Sequence, residues 1–293
     1  MVPQFSIIVL YATGILELLL PLLLLFFLKR RHDYAFSSVI CGLAAYFIVN
    51  YLVINNIYTI VRVATGNESI FLEKVWLGLI LEAVLAALIL PPLAHFIIKN
   101  LRRGKWSLYD TIAMGIGYWA LPLILDSALQ VSSGSILQKA NQGGLDALVT
   151  EDYPIELFNA LVDSITSESP FMLAAERVIT LITQLIVLLC ILSVLMLVFY
   201  AVKRNRKVCL WLAMLVYLMV ILLINGSNHY LGYWPSLIVV AILGAAAVYF
   251  VYRFLRYYRS QQIELLKKRK EYKELQHEKY LQELEAKKQQ GRS

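Results

Sequence analysis

The sequence predicts an all-α membrane protein: a polytopic transmembrane helical bundle of about seven spans, N-terminus outside and C-terminus cytoplasmic, ending in a cytoplasmic helix. Three observations predict it. Of the 293 residues, 59% are hydrophobic and 16% charged, against about 45–50% and about 25% in an ordinary soluble domain. The apolar residues gather in runs of about 20, the length that crosses a bilayer as a helix, and the mean hydropathy is +0.66. Basic residues follow every second run. Soluble α/β enzyme folds are thereby excluded.

Taken in order, the spans fall at 5-28, 36-57, 75-99, 108-131, 170-201, 209-226 and 235-256. The first is no cleavable leader: no basic stretch precedes it, it is too long, and its positive charges Lys29, Arg30 and Arg31 come after it. Lys99, Arg102, Arg103 and Lys105 follow the third span, and Lys203, Arg204, Arg206 and Lys207 follow the fifth. Twelve more Lys and Arg lie between Arg253 and Arg292, so of the 27 in the chain only Arg62, Lys74, Lys139 and Arg177 lie elsewhere. By the positive-inside rule the basic side is cytoplasmic. The net charge of +7 therefore reads as topology and contact with anionic lipid headgroups, with no nucleic-acid partner. Trp106, Tyr109, Tyr230, Tyr233, Trp234, Tyr257 and Tyr258 fall near span ends, as interfacial aromatic belts do.

Two parts lie outside the membrane, which divides the chain into a bundle, 1-256, and a tail, 257-293. The outer loop 132-169 is acidic, with Asp146, Glu151, Asp152, Glu156, Asp163 and Glu168 against Lys139. Its apolar pairs around Leu145, Leu148, Leu157 and Leu161 suggest a short surface helix or two, resting on the interface or covering a cavity. The tail is rich in helix formers and carries Glu264/Lys268 and Glu283/Lys287 at i,i+4 spacing. Leu265, Tyr272 and Leu275 make too thin a stripe for a sustained heptad, leaving either a solvated charged helix or a docking helix.

Ionisable groups inside spans are costly, and are as a rule functional or paired toward the bundle interior. Here they are Glu17, Glu82, Asp126, Glu176, Arg177 and His95. Glu82, Asp126 and Glu176 lie about five to seven residues in from the outer edge, in the outer half of the membrane at 1.5 Å per residue. Glu17, Glu82, Asp126, Glu176 and Arg177 thus form a predicted intramembrane polar cluster. Adjacent Glu176 and Arg177 point about 100° apart on a helix, so Arg177 is expected to pair with Glu82, Asp126 or Glu17. The pairing is either a register-fixing ion pair or part of a substrate, ion or proton site.

His95 stands without a second His or Cys at i+4 and reads as an interfacial histidine. Pro91 and Pro92 before it remove two backbone donors and are expected to kink the third span. Asn225, Asn228 and His229 at the outer end of the sixth span read as wet headgroup positions. Neither a CxxC pair nor any other metal-site spacing occurs, and no metal or cofactor is expected.

Short motifs give the chain a family resemblance. FSSVICGLAAYFIVNYLV from Phe36, Gly115-Ile116-Gly117, and Glu176-Arg177 followed by Ser193 and the basic AVKRNRK turn together resemble the YhfC-like family of bacterial membrane proteins. That family is regarded as glutamic-type intramembrane peptidases distantly akin to CAAX-processing proteases. The resemblance spans about residues 1-220. Where the family has a paired Glu-Glu followed by Arg, this chain has Pro91-Pro92-Leu93-Ala94-His95. Where it has GHGG and Glu, this chain has Gly117-Tyr118-Trp119-Ala120 and Pro122. Later family histidines correspond to Gln184 and Tyr217.

A glutamic-type mechanism needs a carboxylate to activate water and a neighbour to hold it, and proline can do neither. The resemblance therefore implies a pseudo-protease with the bundle kept and the catalytic groups lost. The expected function is a non-catalytic scaffold or subunit of the bacterial plasma membrane, binding a protein or peptide partner through the cytoplasmic tail or the acidic outer loop. Three alternatives stand beside it. One is an active peptidase with Glu82 or Glu176 as base and Asp126 or His95 assisting; the others are a peptide-sensing receptor-like protein and a transporter-associated protein. No GxxxxGK[ST] motif occurs, so the chain is not expected to act as an ATPase.

Overall fold

A computed structural model of the protein describes residues 2–101, 105–143, 155–166, 169–230 and 233–290. Arg102, Arg103, Leu145, Asp146, Leu148, Glu151, Asp152 and Glu168 lie outside the described residues, as do the side chains of Glu156, Leu157, Leu265, Tyr272, Leu275, Glu283 and Lys287. Among the described residues the structure is helical, with no strand. Seven helical stretches are long and apolar enough to cross a membrane: Gln4–Arg31, Phe36–Thr65, Val75–Asn100, Leu108–Asn141, Pro170–Arg204, Lys207–Tyr230 and Trp234–Glu264.

The helices are α1 (Gln4–Arg31), α2 (Phe36–Tyr46), a π-helical segment (Phe47–Ile54) continuing into α3 (Asn55–Thr65), the single turn α4 (Ile70–Glu73), α5 (Val75–Asn100), α6 (Leu108–Asn141), α7 (Ile155–Thr166), α8 (Pro170–Arg204), α9 (Lys207–Tyr230) and α10 (Tyr233–Gln290). The chain divides into two compact units, Met1–Ala247 and Val248–Ser293. In the second, Lys268 Nζ donates to Glu264 Oε1 at 2.7 Å, the i,i+4 pair expected of the tail.

In the first unit α6 is central, packed against α1, α2 and α8, while α5, α8 and α9 pack on one another. Lipid offers no hydrophobic drive to helix association, so close backbone approach and polar bonds must hold such a bundle. Both are present where α2 meets α6. A methyl group on Gly42 would stand 2.0 Å from the Met114 carbonyl oxygen, and one on Gly117 would stand 2.4 Å from that of Val39. The Gly-containing second span and the Gly115-Ile116-Gly117 motif are therefore a packing seam. Asp110 ties its end: it forms a capping box with Ser107 and accepts from the Ala35 amide (2.8 Å) and the Ser38 hydroxyl (2.9 Å).

Two features depart from the sequence expectation, and the helix holding the paired prolines continues through them. Helix α6 runs on to Asn141, ten residues into the expected loop, because Leu137 is sealed against Val2, Ile7 and Leu10, and Asn141 exchanges hydrogen bonds with the backbone of Val2 (2.8 and 2.9 Å). Helix α7 lies on that same apolar cluster through Ile165, Leu161 and Val162. Trp106 is buried rather than in an interfacial belt, donating from its indole to Thr111 Oγ1 at 3.0 Å. Tyr230, Trp234 and Tyr257 are exposed, as belt residues are. Helix α5 is uninterrupted through Pro91 and Pro92; its environment of neighbouring helices is the setting in which transmembrane prolines are tolerated.

Candidate functional site

The intramembrane ionisable residues divide between two places. The first lies between α1 and α6. Glu17 is buried and accepts from Gln130 Nε2 at 2.8 Å, the same amide reaches Asp126 Oδ2 at 3.0 Å, and the Thr13 hydroxyl donates to Gln130 Oε1 at 2.5 Å. Arg177 of α8 is a nearby positive charge acting on Glu17. Gly14 of the same stretch of α1 allows no spare room: a methyl there would stand 3.0 Å from Val131 and 3.1 Å from the Ser127 carbonyl oxygen. Two carboxylates thus share one amide in a closed seam.

The second place is a cavity of about 440 Å³ enclosed by the second span, α5, α6, α8, α9 and the start of α10. Glu82 of α5 lines it, beside Tyr118, Trp119 and Pro122 of α6, Gln184 of α8, and Tyr217 and Asn225 of α9. The lining extends from Tyr217 to Asn228 along α9, eleven residues or about 16 Å of depth at 1.5 Å per residue. Among the described residues it contains one acidic side chain and no His, Cys, Lys or Arg.

Glu82 is hydrogen-bonded by Asn225. The hydroxyls of Tyr118 and Tyr217 meet at 3.1 Å, both rings being buried, and Asn50 also bonds Tyr118. Tyr46 stands edge-on to Tyr118, with ring centroids 5.2 Å apart and planes at 72°. Tyr46 and Asn50 flank and occupy the start of the π-helical segment, where Asn50 Nδ2 donates to the Tyr46 carbonyl at 3.1 Å. Such wider turns recur at functional sites because they re-aim side chains.

The remaining predicted residues are placed as follows. Glu176 is half-buried on α8, one helical turn before the cavity-lining Thr180, whose hydroxyl donates to its carbonyl at 2.9 Å. His95 and Pro92 lie away from the cavity, at a hollow shared with Lys99, Asn205, Lys207 and Trp211, and Pro91 is buried in α5. Asn225 and Asn228, expected in a wet headgroup position, line the cavity instead. Sequence reasoning did not single out Asn50, Gln130 or Trp119. For Gln130 a signal existed, its i,i+4 spacing from Asp126 within an apolar run.

Tyr118, Pro122, Gln184 and Tyr217, four positions that the sequence resemblance reads as departures from the family pattern, all line this one cavity together with Glu82. Among the described residues no group of three or more His, Cys, Asp or Glu could hold a metal ion. Residues 16–255 match the family model described as YhfC intramembrane metalloprotease, a description that names metal-dependent rather than glutamic-type chemistry. No curated protein and no solved structure matches. With well over half of its length matched, the chain belongs to the YhfC intramembrane metalloprotease family.

Proposed function

We propose that this chain is a non-catalytic member of its family, a pseudo-protease of the bacterial plasma membrane that binds rather than cleaves. The supporting observation is the composition of the cavity wall. A catalytic zinc ion takes three protein ligands, typically His, Glu or Cys, whereas this wall offers one carboxylate among tyrosines, amides and hydroxyls. Those donors do not fit a metal ion. Nor does Glu82 have the second acid or histidine that would hold and protonate a substrate in a carboxylate mechanism. The bundle then serves as a scaffold or subunit, with the acidic outer loop and the cytoplasmic tail as docking surfaces for a protein partner. The Lys and Arg distribution supports the tail's cytoplasmic orientation.

The test has two arms. The protein reconstituted in liposomes, with and without added zinc, is offered a library of membrane-spanning peptides, and no cleavage above the empty-liposome rate is expected. Crosslinking in native membranes, with the full chain compared against one truncated after Arg259, is expected to yield a stoichiometric partner that truncation removes. Zinc-dependent cleavage overturns the reading. Cleavage abolished by Glu82→Gln supports the second reading, a peptidase using Glu82 as base, which its position on the cavity wall beside Asn225 favours.

A further inference from the structure

The cavity has a charge and a shape that together select a ligand class. Glu82 is its one acidic group; among the described residues it forms no ion pair, and Asn225 beside it is neutral. An anionic ligand would meet that carboxylate with no cation to offset it. A catalytic transition-metal ion would need imidazole, thiolate or several carboxylate ligands, and the wall has no His, no Cys and one carboxylate among the described residues. Weakly hydrated organic cations differ, because aromatic faces within about 6 Å attract them without requiring ligand bonds.

The wall provides such faces. Tyr46, Tyr118 and Tyr217 line the cavity together with Glu82. The Tyr118 and Tyr217 hydroxyls hold each other, and Tyr46 meets Tyr118 at 72°, making a corner of two ring planes. Trp119 adds a fourth aromatic group to the lining.

We infer that the Glu82 cavity is a binding site for a small organic ammonium ion, the carboxylate countering its charge and the tyrosine rings packing against its alkyl groups. The inference rests on the reading that the cavity binds without cleaving. It identifies what occupies the cavity, whereas the docking surfaces serve the protein partner.

The test is isothermal titration calorimetry of the full-length protein in lipid nanodiscs. The probes are choline chloride and 3,3-dimethylbutan-1-ol, which has the same shape without the charge. Choline is expected to bind at least about tenfold more tightly than the alcohol, and Glu82→Gln is expected to weaken choline by about tenfold or more. Glu17→Gln, in the closed seam, should leave choline affinity within about twofold. If Glu82→Gln does not fold, as judged by circular dichroism and gel filtration, Tyr46→Leu replaces it with an expected loss of at least about fivefold. Equal affinity for the two probes, no choline binding up to about 10 mM, or a folded Glu82→Gln variant of unchanged affinity overturns the inference. Because the titration reads binding and not cleavage, a proteolytic result in the liposome assay would refute the pseudo-protease reading alone, and a flat titration would refute the ligand alone.

Discussion

Helix α6 carries two polar regions that look alike in sequence and differ in what their neighbours leave undone. On one side, Asp126 and Gln130 meet Glu17 and Thr13 of α1, and every group there has a partner at hydrogen-bonding distance. On the other, Tyr118, Trp119 and Pro122 line a cavity in which Glu82 forms no ion pair among the described residues. A buried acid is thus not a functional signal by itself. It becomes one when space and an unbalanced charge remain after the local partners are satisfied.

The largest expected effect lies at the seam that α6 makes with α2. Gly42→Ala puts a methyl against the Met114 carbonyl, which is backbone and cannot rotate away. A loss of about 3 kcal/mol is expected in reversible unfolding in mixed micelles. Gly115→Ala should cost less, since its nearest obstacle is the flexible end of Leu192; equal losses would show that side-chain relaxation does not decide the cost.

Gln130→Leu removes the amide shared by Glu17 and Asp126, and about 2 kcal/mol should be lost in the same assay. Stability unchanged by that substitution would mean that the closed seam does not depend on its polar bonds. Tyr217→Phe deletes one hydroxyl of the 3.1 Å tyrosine pair, for about 1 kcal/mol. Glu82→Gln should change stability least, by less than about 0.5 kcal/mol, because its amide can still pair with Asn225. A Glu82→Gln variant less stable than Gln130→Leu would reverse the comparison and make the cavity acid the structural one.

The spans were legible because bilayer thickness dictates how long an apolar helix must be, and that length is written along the chain. The end of α6 was not: Ser132, Ser133 and Lys139 look like loop, and the helix continues only because Leu137 and Asn141 find partners on the N-terminal segment. In the site, Glu82, Tyr118, Pro122, Gln184 and Tyr217 stood out as residues, either as a charge in an apolar run or as departures from a family pattern. Their convergence on one cavity could not be read, because it depends on how helices distant in the chain are rotated against each other. The same ignorance of rotation grouped Glu82 with Glu17 and Asp126, left Asn50 unremarked, and read Asn225 as a wet headgroup position.

The π-helical segment Phe47–Ile54 has a consequence for how this cavity can vary. A π turn accommodates one residue more than the α-helical path, so deleting a single residue there would relax the second span to an ordinary helix. The α-helices on either side would keep their phase, with Tyr58 anchored by its hydroxyl on the Gly78 carbonyl at 2.9 Å, because the wide turn is what absorbs the extra residue. One codon lost from this stretch would therefore re-aim the residues inside it, Asn50 included, while the rest of the cavity wall stays in place.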